Sequence, residues 1–214
     1  MQPPVNLWLN SYSQLFQLVD VQCDSKVCNF NNKFTSNSKS SPFFTGEVVN
    51  FAEKYIYDLQ LTGPIVKQIV YLDMKGETIQ LILNLQSVTQ SSGYLYGGAL
   101  SSGFLGLQPY SLETKANNFI YQLLVQKLID YPIMSINLSS IRPVIKFGMP
   151  DSGSANTGES LQIFQTVDKQ SFKVRAKNFA VNNYLIGNIH AAFVEISFES
   201  AITFVPQNDY AQVL

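Results

Sequence analysis

Short β-type runs separated by turn-forming clusters occupy most of this 214-residue chain and constrain its fold more than any other feature. The runs are rich in Val, Ile, Phe and Tyr and often alternate apolar with polar residues, which is typical of half-buried strands. Clusters of Asn, Ser, Gly and Pro between them favour turns. The clearest runs are IVKQIVYLDM, TIQLILNLQSV, PIMSINLSS, PVIKFGM, LQIFQTV, SFKVRAKNF, AAFVEISF and AITFVP. The sequence therefore predicts an all-β fold.

One segment, NNFIYQLLVQKLID, predicts a helix instead, so the fold is mainly β with a few short helices. It begins with an asparagine suited to cap a helix, either Asn117 or Asn118. Apolar residues then recur at helical spacing and form one face. The helix is predicted to end before Tyr131-Pro132, because a residue that precedes proline is disfavoured in the helical conformation.

Composition excludes several classes of protein. The 14 Lys and Arg residues are balanced by 15 Asp and Glu residues, so the sequence offers no basic footprint for a nucleic-acid partner. Because 46% of the residues are hydrophobic and the net charge is only −1, we expect a buried core rather than disorder. No apolar run reaches the roughly 18 to 20 residues of a membrane span, so none is predicted.

The single histidine limits the possible chemistry. A Ser/His or Cys/His nucleophilic pair would have to use His190, and a zinc site would have to join it to Cys23 and Cys28. His190 lies in a strand-like segment and is interpreted as an ordinary histidine. Glycine-rich phosphate-binding motifs are also absent. We therefore predict neither a metal nor a cofactor.

The two cysteines lie in CDSKVC, a polar, turn-rich stretch. A small loop could close there through a disulfide, but two free thiols fit the spacing equally well. The start of the chain, MQPPVNLWLNSYSQLFQLVD, lacks the basic region, apolar run and cleavage site of a signal peptide. These residues alone therefore leave the compartment unknown.

Read in order, the segments resemble those of the pepsin-like aspartic proteases. CDSKVC and the following NFNNKFTSNSKSSPFF resemble the family's small disulfide loop and its F-x-P-S-x-S-S-T-F stretch. SGYLYGGALSSGFLGLQPYS resembles the segment that ends F-D-G-I-L-G-L. FIYQLLVQKLIDYPIMSINLSS resembles the helix and strand that close the amino-terminal lobe. VIKFGMPDSGSANTGESLQIFQTV is similar to the F-G-G-x-D stretch and the turn and strand after it. The resemblance covers almost the whole chain.

This resemblance implies a bilobal pepsin-like fold with an incomplete second lobe. Residues 1–136 correspond to the amino-terminal lobe without its first strands, and residues 137–214 to part of the carboxy-terminal lobe. It also implies a Cys23–Cys28 disulfide and a secretory, vacuolar or extracellular location. The missing strands would leave exposed sheet edges, which could recruit a second chain that completes the lobe.

The family's chemistry uses two aspartates that share a proton, each in an Asp-Thr/Ser-Gly turn. The first turn has the pattern apolar-Asp-Thr-Gly-Ser-Ser-Asn-Leu-Trp. Aligning Leu15-Phe16 with its Leu-Trp places Leu9 at the first aspartate. In FVEISFESAITFVPQNDY, aligning Pro206 with the family's proline places Ser197 at the second.

Neither residue can act as a general acid or base, because leucine has no ionisable group and serine is too weak a base. Glu195 and Glu199 flank the second position without falling on it. A literal Asp151-Ser152-Gly153 is interpreted as a structural turn. The flap tyrosine of the family would be Tyr57 or Tyr55, with Tyr57 the candidate.

The sequence therefore favours a catalytically inactive pseudoprotease that binds a peptide or protein partner. The alternative is an active aspartic endopeptidase that cleaves peptide bonds at acid pH. Its carboxylates would then be misassigned in this alignment or supplied by a partner chain.

Overall fold

A computed structural model of the chain describes residues 5–24, 28, 33–35, 44–53, 59–74, 76–93, 102–112, 114–138, 141, 143–149, 163–176, 179–181, 184–186, 193–198 and 205. For residues 44–53, 59, 74, 93, 179, 181 and 184–186 it describes the backbone alone. All structural statements below concern these residues.

Strands predominate in the described part of the chain, which confirms the all-β prediction. The strands are β1 (Leu7–Asn10), β2 (Phe16–Val19), β3 (Phe44–Glu53), β4 (Leu59–Met74), β5 (Glu77–Val88), β6 (Gln90–Gly93), β7 (Gly103–Gly106), β8 (Met134–Asn137), β9 (Val144–Phe147), β10 (Lys173–Arg175), β11 (Phe179–Val181), β12 (Tyr184–Ile186) and β13 (Phe193–Glu195). The helix α1 spans Phe119–Val125 and follows a 3₁₀ turn at Lys115–Asn117.

Seven of these strands form one mixed sheet in the order β1-β7-β2-β5-β4-β3, with β6 paired to β4. β7 therefore lies between β1, to which it is parallel, and β2, to which it is antiparallel. The long antiparallel pair β4 and β5 turns at Gly76, whose φ of 86° is readily adopted only by glycine. Three smaller antiparallel pairs are β8 with β9, β10 with β13 and β11 with β12.

The sheet buries apolar side chains on both faces, because successive residues of a strand point to opposite sides. One group, called the main core here, also contacts α1. Its buried members are Phe16, Leu18, Phe34, Val66, Leu81, Leu83, Leu85, Leu105, Leu107, Phe119, Ile120, Leu123 and Ile129. The other group, called the second cluster, consists of Val19, Cys23, Cys28, Leu61, Val88 and Phe104, with Trp8 packed against it.

The Cys23–Cys28 disulfide that the resemblance implied is present. Both cysteines are fully buried in the second cluster. The bridge thus anchors the chain after β2 to the apolar face that carries Val19, Leu61 and Val88. Of the two possibilities that the spacing left open, the structure contains the disulfide.

The predicted helix begins where the sequence indicated but ends earlier. Asn118 is the cap, since its side-chain oxygen accepts the Tyr121 N–H at 3.1 Å. The end is set by Lys127, whose φ of 59° is left-handed. The Leu128 N–H then bonds to the Leu123 carbonyl at 3.0 Å, closing the helix in a Schellman arrangement. The sequence predicted a helix that continues to the residue before Tyr131, and this later end was wrong.

Gln122 of α1 and Gln126, the residue that follows α1, lie one turn apart and bond to the backbone of β5 as a neighbouring strand would. The side-chain amide of Gln122 accepts the Asn84 N–H at 2.5 Å and donates to the Asn84 carbonyl at 2.9 Å. In the same way, Gln126 accepts from the Ile82 N–H at 3.3 Å and donates to the Ile82 carbonyl at 2.9 Å. This pair, called the glutamine ladder here, satisfies the backbone N–H and carbonyl groups of Ile82 and Asn84.

The run LQIFQTV does not form the predicted strand in its described part, residues 163–167. Thr166 makes an isolated bridge to Val174, while Ile163 and Phe164 are 85% and 69% exposed. Their apolar side chains thus lack the packing that would hold a strand in place. AITFVP lies outside the described residues except for Val205.

The boundary predicted between residues 136 and 137 falls inside β8, which pairs with β9 along its length. The division into two lobes stays a prediction. Within the described ranges, no helix is long and apolar enough to cross a membrane.

Candidate functional site

The turn between β1 and β2 is fixed by the strand that runs between them. At the last residue of β7 and the two residues after it, three successive N–H groups bond to the backbone of this turn. Gly106 donates to the Leu15 carbonyl at 2.9 Å, and Leu107 donates to the Asn10 carbonyl at 2.8 Å. Gln108 donates to the Ser13 carbonyl at 2.9 Å. Residues 10–15, called the β1 turn here, therefore wrap around the end of β7.

Gly106 makes this close wrapping possible. It lies opposite Asn10 in the β1–β7 pairing. A Cβ atom at this position would lie 2.6 Å from both the Leu15 nitrogen and the Ser13 oxygen, which are backbone atoms that cannot move independently. The second glycine of SSGFLGL, Gly106, is therefore required because the backbones of β7 and of the β1 turn approach closely at this residue.

Asn10 organises the β1 turn from within. Its side chain is only 2% exposed, and its Oδ1 accepts the N–H groups of Tyr12 and Ser13, both at 2.8 Å. Ser13 is also buried, and its hydroxyl oxygen accepts the Leu15 N–H at 3.1 Å. The turn is thus held by side-chain acceptors as well as by β7.

Leu9, the predicted first aspartate position, immediately precedes the β1 turn, and its side chain lies on the opposite face of β1 from that of Asn10. It pairs with Leu105 of β7, and its half-buried side chain packs against the main core. Trp8 points to the opposite face, where its ring stacks on Phe104 with the centroids 6.4 Å apart. The side chain of Leu9 therefore makes apolar contacts.

Ser197, the predicted second position, is half-buried and lies just after β13. Its neighbour Phe198 packs against the main core and contacts the Phe172 ring edge-on, with the centroids 5.8 Å apart. Glu195 is exposed on β13 and forms an ion pair with Lys173 of β10 at 3.8 Å. Glu195 is therefore part of a surface ion pair between β10 and β13.

Two other carboxylates have structural partners. Asp20 is fully buried, and its two oxygens accept the Ser87 hydroxyl at 2.7 Å and the Gln22 N–H at 2.9 Å. Asp168 is exposed, and hydrogen bonds from the Ser171 hydroxyl and the Gln170 N–H lower the pKa of its carboxyl group. The described part of the chain contains no group of three or more His, Cys, Asp or Glu residues that could hold a metal ion.

Asn118 connects the β1 turn to α1. While its Oδ1 caps the helix, its Nδ2 donates to the Gln108 carbonyl at 3.1 Å and to the Gln14 carbonyl at 3.4 Å. Leu15 also forms a backbone bridge with Asn118. Nearby, the Gln14 side-chain oxygen accepts the Thr114 hydroxyl. One buried amide thus joins the turn, the segment after β7 and the helix.

A cleft of about 390 Å³ lies beside the glutamine ladder, a volume within the usual range for ligand pockets. Its exposed apolar side chains include Val125 of α1, which is 61% exposed, and Ile82 of β5, which is 42% exposed. Lys67 is the charged residue of its lining, to which Tyr121 also contributes. The cleft therefore combines apolar surface with one positive charge.

Several predicted positions lie outside the described residues, and those predictions stay open. They are Tyr55, Tyr57, Asp151, Ser152, Gly153, His190, Glu199 and Pro206. Sequence reasoning gave Asn10 no role. An available signal was its place at the end of an apolar strand before Ser11 and Tyr12, since asparagine often bonds to the backbone two residues further on.

Comparison with known proteins agrees with the resemblance of the segments. A family model for eukaryotic aspartyl proteases matches residues 5–202, which is most of the chain. A search of curated proteins found no match.

Proposed function

The chain belongs to the eukaryotic aspartyl protease family, and we propose that it is a catalytically inactive member that binds a peptide or protein segment. The observation that carries this proposal is the chemistry of the two positions at which the sequence predicts the aspartates. Leu9 cannot hold a proton, and residues 9–13 include no carboxylate at all. Ser197 has only a hydroxyl group. The shared proton of two carboxylates therefore has no equivalent at these positions.

The engagement of other carboxylates supports the same proposal. Asp20 is buried in bonds to Ser87 and Gln22, and Glu195 faces Lys173 at the surface. A general base must reach the water that it activates. We therefore assign neither carboxylate a catalytic role.

The purified native chain is expected to show no pepstatin-sensitive cleavage of a mixed peptide library between pH 3 and 5. Each acid-base group contributes about 10²- to 10⁴-fold to the rate of a reaction. Loss of both carboxylates should therefore leave the activity at least about 10⁴-fold below that of an active pepsin-like enzyme. The measurement is mass-spectrometric detection of new peptide termini, with and without pepstatin.

Folding must be monitored in the same samples, since an unfolded chain would also be silent. Near-UV circular dichroism and the fluorescence of Trp8, the single tryptophan, serve this purpose. A Leu9→Asp/Ser197→Asp variant tests whether the predicted positions restore cleavage. Pepstatin-sensitive cleavage by the native chain would contradict inactivity and favour an active endopeptidase with carboxylates placed elsewhere.

For the partner, we propose a peptide segment that places an apolar side chain in the cleft beside α1 and an acidic group near Lys67. The exposed Val125 and Ile82 offer apolar area, and Lys67 offers the complementary charge. We also propose that the chain is divided into two lobes, residues 1–136 and residues 137–214. A second chain could pair with an exposed sheet edge and complete the second lobe. This surface does not require catalytic groups, so it suits a family member that binds without cleaving.

Peptides selected from a displayed random library should lose at least about tenfold in affinity for a Val125→Asp variant, because the new carboxylate lies on the apolar wall and repels an acidic ligand. Leu138→Asp is the matched control, since Leu138 is 81% exposed and absent from the cleft lining. Fluorescence anisotropy of labelled peptides gives the dissociation constants. Equal affinities for both variants would place the binding surface elsewhere.

A further inference from the structure

We propose that Asn10 stands at the position of the family's first catalytic carboxylate, so that an amide replaces the acid in a turn that is otherwise kept. The inference rests on the proposed function and replaces the Leu9 placement by the next residue. Asparagine has the shape of aspartate, but its amide does not titrate as a carboxyl group does. Inactivity at this position would then reflect the exchange of one side-chain oxygen for a nitrogen.

The direction of the two side chains is the first argument. Leu9 packs against the main core, whereas Trp8 packs against the second cluster. Because strand residues alternate, Asn10 lies on the Trp8 side of β1 and at the start of the turn. A carboxylate at Leu9 would lie among apolar side chains, away from the polar groups of the turn.

The hydrogen bonds of Asn10 are the second argument. Its Oδ1 accepts two backbone N–H groups, from Tyr12 and Ser13. An oxygen of a carboxylate at the same place can accept these two donors as well. Such donors favour the ionised form of a carboxyl group, which is the form that activates water.

The sequence of the turn also supports this placement. Leu9-Asn10-Ser11-Tyr12-Ser13 reproduces apolar-Asp-Thr-Gly-Ser at three places, namely the apolar residue, the hydroxyl residue and the final serine. The connection to Leu15 is then one residue shorter than in the family pattern. Tyr12 replaces the glycine, while Gly106 of β7 provides the close backbone approach from the other strand.

Two variants distinguish the placements, because they should respond to acid in opposite directions. In Asn10→Asp, burial disfavours the charged carboxylate, but the two N–H donors favour it, and we expect them to hold the folded-state pKa below the usual 3.9 or so. Stability relative to the native chain is then lost as the pH falls below about 4. In Leu9→Asp, burial against the main core raises the folded-state pKa. Its relative stability therefore increases as the pH falls from 7 towards 4.

At pH 7 we expect Asn10→Asp to keep its unfolding equilibrium constant within about tenfold of the native value, whereas Leu9→Asp should lose at least about a hundredfold. Urea denaturation monitored by Trp8 fluorescence measures both between pH 3 and 7. Each variant is compared with the native chain at the same pH, which cancels shared titrations. β1, β7 and the β1 turn contain no charged side chain that would confuse the comparison.

An equal or larger loss in Asn10→Asp at pH 7 would overturn the placement. So would a pH dependence of the same sign in both variants. Cleavage by the native chain would instead overturn the proposed inactivity, and the stability data for the two variants would still decide the placement.

Discussion

Replacing Gly106 by alanine is expected to lower the free energy of unfolding by about 4 kcal/mol or more. The added methyl group would lie 2.6 Å from backbone atoms of Ser13 and Leu15. Ser13 and Leu15 belong to the β1 turn, and their carbonyl groups accept the N–H groups of Gln108 and Gly106. Relief of the clash therefore requires separating β7 from the turn rather than rotating a side chain.

Gly76→Ala is the matched control, because the same methyl group is added where no atom lies within 4 Å. Gly76 has a φ of 86°, which is unfavourable for alanine. We therefore expect Gly76→Ala to lower the free energy of unfolding by about 1 to 2 kcal/mol. Urea denaturation followed by circular dichroism compares the two variants. Similar losses in both would show that the β1 turn does not wrap closely around Gly106.

Asn118→Ala is expected to lower the free energy of unfolding by about 3 kcal/mol. Of this, about 1 kcal/mol is the lost helix cap, and about 1 kcal/mol belongs to each hydrogen bond to a carbonyl that loses its donor. Asn118 is 1% exposed, so water cannot easily replace these bonds. The change should loosen both α1 and the β1 turn, since the same amide bonds to Gln14 and Gln108.

Asn117→Ala provides the comparison for this prediction. The two asparagines are adjacent, but Asn117 is half-buried and contributes one long bond of 3.4 Å, from Asn84. We expect a loss below about 1 kcal/mol. Thermal unfolding and hydrogen exchange of the β1 turn measure the two effects. A larger loss for Asn117→Ala would mean that the cap and the turn are held by other groups.

Local chemistry made part of the fold predictable. Alternating runs indicated the long strands β4 and β5, since their apolar residues recur with the period of a sheet. The choice of cap was limited to Asn117 and Asn118, and the structure selects Asn118. The disulfide could be inferred from its surroundings in the family pattern, although cysteine spacing alone did not decide it.

The remaining features depend on contacts between distant parts of the chain. The helix is closed by Lys127, which has a left-handed conformation although it is neither glycine nor asparagine. Which face of β1 carries Leu9 depends on how β7 pairs with it, almost 100 residues later. A sequence pattern aligned on Leu15-Phe16 cannot detect that the turn before Leu15 is one residue shorter than in the family. Such a pattern contains no information about the direction of side chains.

The glutamine ladder has a consequence for the behaviour of the protein at high concentration. A strand added to a sheet offers a new edge to the next molecule, whereas a helix that bonds through side-chain amides offers none. Gln122 and Gln126 thus end the growth of the sheet at Ile82 and Asn84 without contributing a strand of their own. At this stretch of β5, the fold protects itself against the edge-to-edge stacking that leads β proteins to aggregate.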